Sequence, residues 1–414
     1  MMYRHIGVYL SNNSDKKKLI KQLFSVGLEG FISKLDASEV QLFSSLTIDR
    51  LVDEEYRHDR VIVCTDENKS LSTMSSGQQK KALLAYLITF NPNIMLLDDV
   101  YSNVDKETQQ YMDAEFPLMA ARTIIIQLFF RKRDLLSFID TVLVLNDKNE
   151  VSDVYSASDF GLKHHEHSLN VSFELPRAYG QSIEVHDPLI ELHNISVSYG
   201  DKQVLTQLDW TIRSGEFWQL IGPNGSGKST LLGMICGDNP KAYGQDMTLF
   251  GRRKGTGETI WDIKKQIGYF TPSMVLQFTR NETVENMLIS GLNDSVGLYI
   301  EPSDLQKDLA KAWVGLLGDA FVGKNFQQLS VGQQRIVMVA RAMVKHPAVL
   351  ILDEPTIEMD DLNSQLFIEM VHAIAANTKV AIVYVSHRDE ENLQAQKVFE
   401  LVKCASGYTG VVRL

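Results

Sequence analysis

The sequence predicts an α/β fold laid down twice, and three observations carry that prediction. First, an apolar strand over 216–221 runs into the glycine-rich loop Gly222-Pro-Asn-Gly-Ser-Gly-Lys-Ser-Thr230 and on into a helix over 231–236. Second, the apolar run Ala348-Val-Leu-Ile-Leu352 ends on Asp353 and Glu354, and Asn93-Ile-Met-Leu-Leu97 ends on Asp98 and Asp99. Third, the motifs keep one spacing: Gln333 to Asp353 and Gln78 to Asp98 are both 20 residues, Asp353 to Asp360 and Asp98 to Asp105 both 7. Chance does not hold register over that length, so the chain is an internal repeat.

Taken in order, the first half is a reduced copy of the second. Tyr9-Leu-Ser-Asn-Asn-Ser-Asp-Lys-Lys-Lys18 lies where the second half has its loop, with Lys17 set opposite Lys228, and every glycine is gone. Without glycine the backbone cannot easily turn through positive φ or approach a phosphate closely. Lys16-Lys-Lys18 reads as a remnant or a solvated charge run. The copy also lacks the β-rich segment that the second half has over 190–211. From 156 to 188 periodicity is lost and His, Ser, Gly and Pro collect, as in a linker. His164-His-Glu-His167 has no further partners at ligand spacing and reads as solvent-exposed. The second half opens with strands over 189–199 and 204–212 around the turn Gly200-Asp201. The expected division is 1–155, a linker over 156–186, and 187–414.

Composition narrows the function. At 414 residues the chain can hold two cores, and a net charge of −11 argues against a nucleic-acid partner. Arg252-Arg-Lys254, the best local basic run, reads as a solvated turn. Cys64, Cys236 and Cys404 are isolated, which fits a reducing cytoplasm. No apolar run is long enough to span a bilayer, and Met1-Met-Tyr-Arg-His5 does not begin a signal peptide. A cytoplasmic chain without membrane insertion is expected, peripheral to the cytoplasmic membrane if a partner holds it there.

The loop between strand and helix is a phosphate-binding pattern. Glycines let N–H groups turn inward, and the helix start adds partial positive charge. The Lys228 ammonium reaches the β- and γ-phosphates of a nucleotide in such a loop, and the Ser229 hydroxyl sits on Mg²⁺. Asp353, ending a buried strand, suits the same metal. Glu354 beside it suits a general base that orients water. Leu329-Ser-Val-Gly-Gln-Gln-Arg335 and Met74-Ser-Ser-Gly-Gln-Gln-Lys80 each precede a helix.

Together with Asp360 and a late Val385-Ser-His387, these motifs resemble the ATP-binding cassette (ABC) set over about 187–414. The stretch Leu249-Phe-Gly-Arg-Arg-Lys-Gly-Thr-Gly-Glu-Thr-Ile-Trp-Asp-Ile-Lys-Lys265 is similar to the ModF-type, or photorepair-type, tandem cassette proteins, which are associated with molybdate transport. The resemblance implies a P-loop NTPase with two ABC nucleotide-binding domains in tandem, the first truncated and degenerate. It makes His387 the switch residue on the γ-phosphate and Tyr199 the aromatic that stacks on adenine. It also implies that each ATP lies between one half's loop and the other half's signature. Gly222, Pro223, Asn224, Gly225, Ser226, Gly227, Lys228, Ser229 and Thr230 would then pair with Ser75, Ser76, Gly77 and Gln78. The opposite combination lacks the glycines, has Asp99 for the base and Phe130 for the histidine. Thr271-Pro-Ser273 stands where the family places a glutamine, a departure that bears on rate and on coupling to a membrane partner.

The expectation is therefore an ABC-type ATP hydrolase using ATP and Mg²⁺ at one competent site. Its expected setting is a transporter, with a transmembrane permease as partner and room for further self-association. The alternatives are a soluble ABC protein acting on ribosomes or DNA and a nucleotide-sensing switch.

Overall fold

The computed structural model describes residues 5–11, 14–63, 69–102, 104–163, 175–176, 186–386, 390 and 392–413. It divides into two compact units, Met1–Ser168 with Glu358–Ser364 and Leu169–Ile357 with Gln365–Leu414.

The first unit runs β1 (Ile6–Tyr9), α1 (Lys16–Ser25), β2 (Val40–Phe43), α2 (Ser45–His58), α3 (Ser76–Ile88), β3 (Ile94–Asp98), α4 (Lys106–Ala120), β4 (Ile124–Phe129), β5 (Thr141–Leu145), β6 (Val151–Ser156) and α5 (Ala157–Lys163). Its sheet has the order β2-β3-β4-β1-β5-β6, parallel except for the antiparallel β6. One core gathers around Phe43, Phe116 and Phe129, the other around Leu19, Leu23 and Leu96. The segment read as linker begins as the helix α5. Its Phe160 is buried edge-on against Tyr9 and Phe129.

Along the rest of the chain follow β7 (Ile190–Tyr199), β8 (Lys202–Ile212), β9 (Phe217–Ile221), α6 (Lys228–Ile235), β10 (Asp246–Leu249), β11 (Arg252–Arg253), α7 (Ile260–Gln266), β12 (Ile267–Phe270), α8 (Val284–Ser290), α9 (Asp304–Leu317), α10 (Val331–Met343), β13 (Val349–Asp353), α11 (Asp361–Asn377), β14 (Ala381–Val385), β15 (Lys397–Lys403) and β16 (Tyr408–Arg413), all in the second unit except the first residues of α11, up to Ser364. The ten strands lie in the order β11-β10-β7-β8-β16-β15-β9-β14-β13-β12. Read from its far end, β12-β13-β14-β9-β15-β16 repeats the first unit's order strand for strand. Among the described residues the first unit has no counterpart of β7 and β8.

Strand burial explains why the central strands read as unbroken apolar runs. Val349, Leu350, Ile351 and Leu352 are all fully buried, as expected of a parallel strand covered on both faces. Trp210 stacks on Phe399 at 4.3 Å and 7°, and Trp218 meets Trp210 edge-on, closing the core under β8, β9 and β15. The predicted elements recur within a few residues of their expected bounds.

In the first unit the approach to the α3 start is held by one buried carboxylate. Glu55 accepts from the Ile62 and Val63 N–H groups (3.0 and 3.3 Å), the Ser70 hydroxyl (2.8 Å) and the Leu71 N–H (2.9 Å). Burial pushes this carboxyl up, but the four donors outweigh it and hold it below the usual range. Glu55→Ala strands those donors and should lower unfolding stability by about 1–3 kcal/mol in a urea titration. Because the folded value is the lower one, Glu55's contribution is full above the ordinary carboxylate range. It fades as pH falls through that range, so the wild-type–variant gap should narrow below about pH 4.

Candidate functional site

The glycine-rich loop leaves β9 at Ile221 and enters α6 at Lys228. Gly227 caps the helix at φ 99°, a conformation side chains rarely take, and offers no side-chain oxygen to the first N–H groups. A Cβ there would lie 2.7 Å from Leu205 Cδ2 and 2.9 Å from Val204 Cγ1; one on Gly222 would lie 2.9 Å from Leu401 Cβ. At Gly222 and Gly227 the loop is thus pressed against β15 and β8 with no room for a side chain, while Gly225 faces open space. Lys228, 6 % exposed, folds its ammonium back to donate to the Gly222 and Pro223 carbonyls at 2.7 and 3.0 Å. Ser229 is exposed, while the Ser226 hydroxyl is buried with no hydrogen-bond partner among the described residues. An open helix start, an unsatisfied hydroxyl and a lysine on the loop suit a polyphosphate and its metal.

Asp353 ends β13, and β14 lies between that strand and β9. Asp353 Oδ2 accepts from the Tyr269 hydroxyl at 3.1 Å, which burial and Asp353 itself hold protonated well above the ordinary tyrosine range. Glu354 follows at φ 51° with its N–H donating to the Val385 carbonyl at 3.0 Å. Left-handed backbone is sparsely populated by glutamate, and such strain clusters where function fixes a side chain. Tyr199, 46 % exposed, is braced by Asn239 Nδ2, which donates to its hydroxyl at 2.9 Å, and by Lys241, 5.4 Å above its ring. His387 lies outside the described residues.

Both signature stretches begin helices through the same capping box. Ser75 and Gln78 on α3 bond reciprocally at 3.0 and 3.4 Å, and Ser330 and Gln333 on α10 at 3.0 and 3.3 Å. In each box the serine oxygen accepts, so its hydroxyl proton is left for another acceptor. Ser76 and Gly77 supply the next N–H groups of α3. Two residues beyond the glutamine of each box, Lys80 and Arg335 are buried, and both donate to the loop at the strand-end acids. Lys80 reaches the Asp99, Val100 and Ser102 carbonyls, and Arg335 the Pro355 carbonyl. Asp105 and Asp360 are helix caps, each accepting at 2.8 Å from the N–H three residues on.

The corresponding loop of the first half differs in kind. Its helix starts at Lys16, so Lys16, not Lys17, stands opposite Lys228; six residues separate strand and helix in both halves. No glycine marks the frame, and three consecutive lysines hid the slip. Asp15 takes the cap position of Gly227 and accepts from the Lys18 N–H at 2.9 Å. Lys16 pairs with Asp98 at 3.1 Å, with side chains 24 % and 2 % exposed, and its ammonium lies 5.8 Å from the Phe130 ring. Burial works against its charge, but Asp98 more than restores it. Lys17 is exposed.

The ABC transporter family profile matches residues 205–357. Over 331 residues the chain is 37 % identical to the ABC transporter ATP-binding protein ModF of Escherichia coli, covering 77 % of this chain and 67 % of that one. This chain belongs to the ABC transporter ATP-binding proteins. An uncharacterized ABC transporter ATP-binding protein of Schizosaccharomyces pombe is 30 % identical over 78 % of the chain and 66 % of its own length. The zinc uptake system ATP-binding protein ZurA of Listeria monocytogenes is 33 % identical over 48 % of the chain and 76 % of its own. The chain thus spans about two thirds of the first two relatives. ABC proteins of this kind are ATP hydrolases of the P-loop α/β class, and this chain carries the cassette in tandem. Among the described residues no helix is long and apolar enough to cross a membrane.

Within the ABC cassette, the ModF-like stretch 249–265 is a surface clamp. Glu258 accepts from the Gly255 and Thr256 N–H groups at 2.8 and 3.0 Å and pairs with Lys254 at 3.0 Å, both side chains nearly buried. Burial opposes its charge, yet the Gly255 N–H and Lys254 bring the carboxyl down to about 2. Arg252 and Arg253 remain exposed, while Lys254 is withdrawn from the basic run.

Sequence reading passed over Tyr269, Asn239, Lys80 and Arg335 because their partners lie far along the chain. The cradle around Gly227 makes a direct prediction. Gly227→Val should abolish ATP binding in a fluorescent-nucleotide titration while the far-ultraviolet circular dichroism spectrum keeps its helix signal.

Proposed function

We propose that this chain is a tandem-cassette ATP hydrolase with one working nucleotide site, built on the half 187–414. The half 1–155 serves as a partner that binds no nucleotide, and 156–186 joins them. One observation carries the reading: in the first half the places of the nucleotide's charges are taken by the chain itself. Asp15 puts a carboxylate on the helix start that Gly227 leaves open, and Lys16 is paired with Asp98. A phosphate would have to displace one anion and compete for the cation of the other.

At the working site, backbone N–H groups of Gly225, Gly227 and the α6 start hold the phosphates, and Lys228 swings from its loop carbonyls onto them. Ser229 and Asp353 hold Mg²⁺, which when bound neutralises charge on the β- and γ-phosphates. Glu354 orients water and takes its proton. Tyr199 stacks on adenine. His387 is assigned to the γ-phosphate on sequence grounds. Ser75, Ser76, Gly77 and Gln78 supply the signature in trans, a role resting on the shared motif register and on the free serine proton at the α3 start.

The ABC transporter names of its relatives support a place in transport, with a permease as partner. Their names differ between ModF and a zinc uptake system, and the ModF-type resemblance makes molybdate the first substrate to test. The departure at Thr271-Pro-Ser273 makes the permease the weaker half of that assignment.

Calorimetric titration of the purified chain should show one ATP per chain; two equivalents would overturn the single-site reading. Glu354→Gln should cut turnover by about 10²–10⁴-fold with ATP binding retained, which a mere nucleotide sensor would not show. Gly77→Arg should suppress turnover with binding at Lys228 intact; unchanged turnover would remove the signature in trans. A polytopic membrane protein that co-purifies with Glu354→Gln from its native host would establish transport, and its absence would leave a soluble ATPase.

A further inference from the structure

We infer that Tyr269 is a positioning residue for the metal-binding carboxylate: its hydroxyl fixes Asp353 in the orientation that receives Mg²⁺. The inference rests on the assignment of Asp353 as a metal ligand.

The argument begins with strand register. β12 and β13 are parallel neighbours with Tyr269 opposite Ile351. Side chains alternate between faces, so Asp353, two residues beyond Ile351, projects on the same face as Tyr269. A diagonal neighbour at that offset is within reach of a long aromatic side chain, and the phenol spans it to Asp353 Oδ2 at 3.1 Å. That face is the one α6 packs on: Tyr269, Ile351, Leu231 and Ile235 share one apolar cluster. The ring is therefore gripped by the core that carries the phosphate loop, and the hydroxyl transmits that rigidity to the carboxylate.

The chain contains its own comparison. β2 pairs with β3 in the same register, which places Leu42 opposite Leu96 and two residues short of Asp98, the position Tyr269 holds beside Asp353. Leucine offers no hydroxyl, and there Asp98 is paired with Lys16 instead. The tyrosine accompanies the half whose loop keeps its glycines, and is missing where the carboxylate is neutralised by the chain. Packing alone does not explain this, because leucine fills the equivalent place in an equally buried sheet.

Tyr269→Phe removes one oxygen and keeps the ring in its core. Mn²⁺ binding to the ATP-loaded full chain, read by electron paramagnetic resonance, should weaken by about 10-fold or more, as loss of a partner behind a metal ligand does. ATP affinity without divalent ion and the melting temperature should stay as in wild type. Turnover should need proportionately more Mg²⁺ yet recover most of its kcat at saturation, whereas a packing defect would lower kcat at every Mg²⁺ level. Tyr269→Phe added to Asp353→Asn should cost nothing further. Unchanged Mn²⁺ affinity in Tyr269→Phe, with Asp353→Asn impaired, would overturn the inference alone. Unchanged Mn²⁺ affinity in Asp353→Asn would instead remove the metal-ligand assignment beneath it.

Discussion

A helix that starts on glycine presents its first N–H groups to whatever anion arrives; one that starts on aspartate already holds an anion. That difference, Gly227 against Asp15, separates the halves of this chain, and other differences follow from it. With the helix start open, Lys228 donates to the Gly222 and Pro223 carbonyls of its own loop. With the start closed, Lys16 turns to the buried Asp98, which otherwise would need a metal or another donor. The strand-end acid is satisfied in both halves, by a tyrosine in one and an ammonium in the other. For Asp98, whose side chain is 2 % exposed, such pairing matters most, since a buried carboxylate that loses its partner costs about 3–5 kcal/mol.

What both halves retain is the frame. Strand order, the capping boxes on α3 and α10, the helix caps Asp105 and Asp360, and the buried cations Lys80 and Arg335 recur in register. These features join the signature helix to the loop beyond the strand-end acids. A half whose loop has lost its glycines but which keeps this connection still has a structural reason to preserve its signature. Asp99 fits the same economy of means: it holds φ 47° where Glu354 holds φ 51°, and aspartate tolerates that region better than glutamate.

Motif chemistry made the second half legible because phosphate binding needs glycine at fixed places and a strand must deliver its acids at one end. The same logic failed in the first half, where no glycine fixed the frame and the lysine run was read one residue late. The repeat itself was visible from Gln78, Asp98 and Asp105 alone, since spacing survives when the loop does not. Phe160 could not announce α5, because a helix of seven residues is too short to set up a period. Tyr269, Asn239 and Glu55 were invisible for a different reason. Their partners are brought close by the sheet and its connections, and a local pattern carries no trace of a pairing made 84 residues away, as between Tyr269 and Asp353.

Two sheets of one strand order within a single chain also create a hazard of mistaken assembly, since a strand from either half could enter its counterpart's slot while the chain folds. Room at the strand ends gives the second sheet a means of discrimination. Were β1 to enter in place of β9, Leu10 and Asp15 would arrive where Gly222 and Gly227 lie, and a Cβ there meets Leu401 at 2.9 Å and Leu205 at 2.7 Å. Close packing around the loop thus acts as a gauge for chain topology, admitting only the strand whose loop carries glycine at those places.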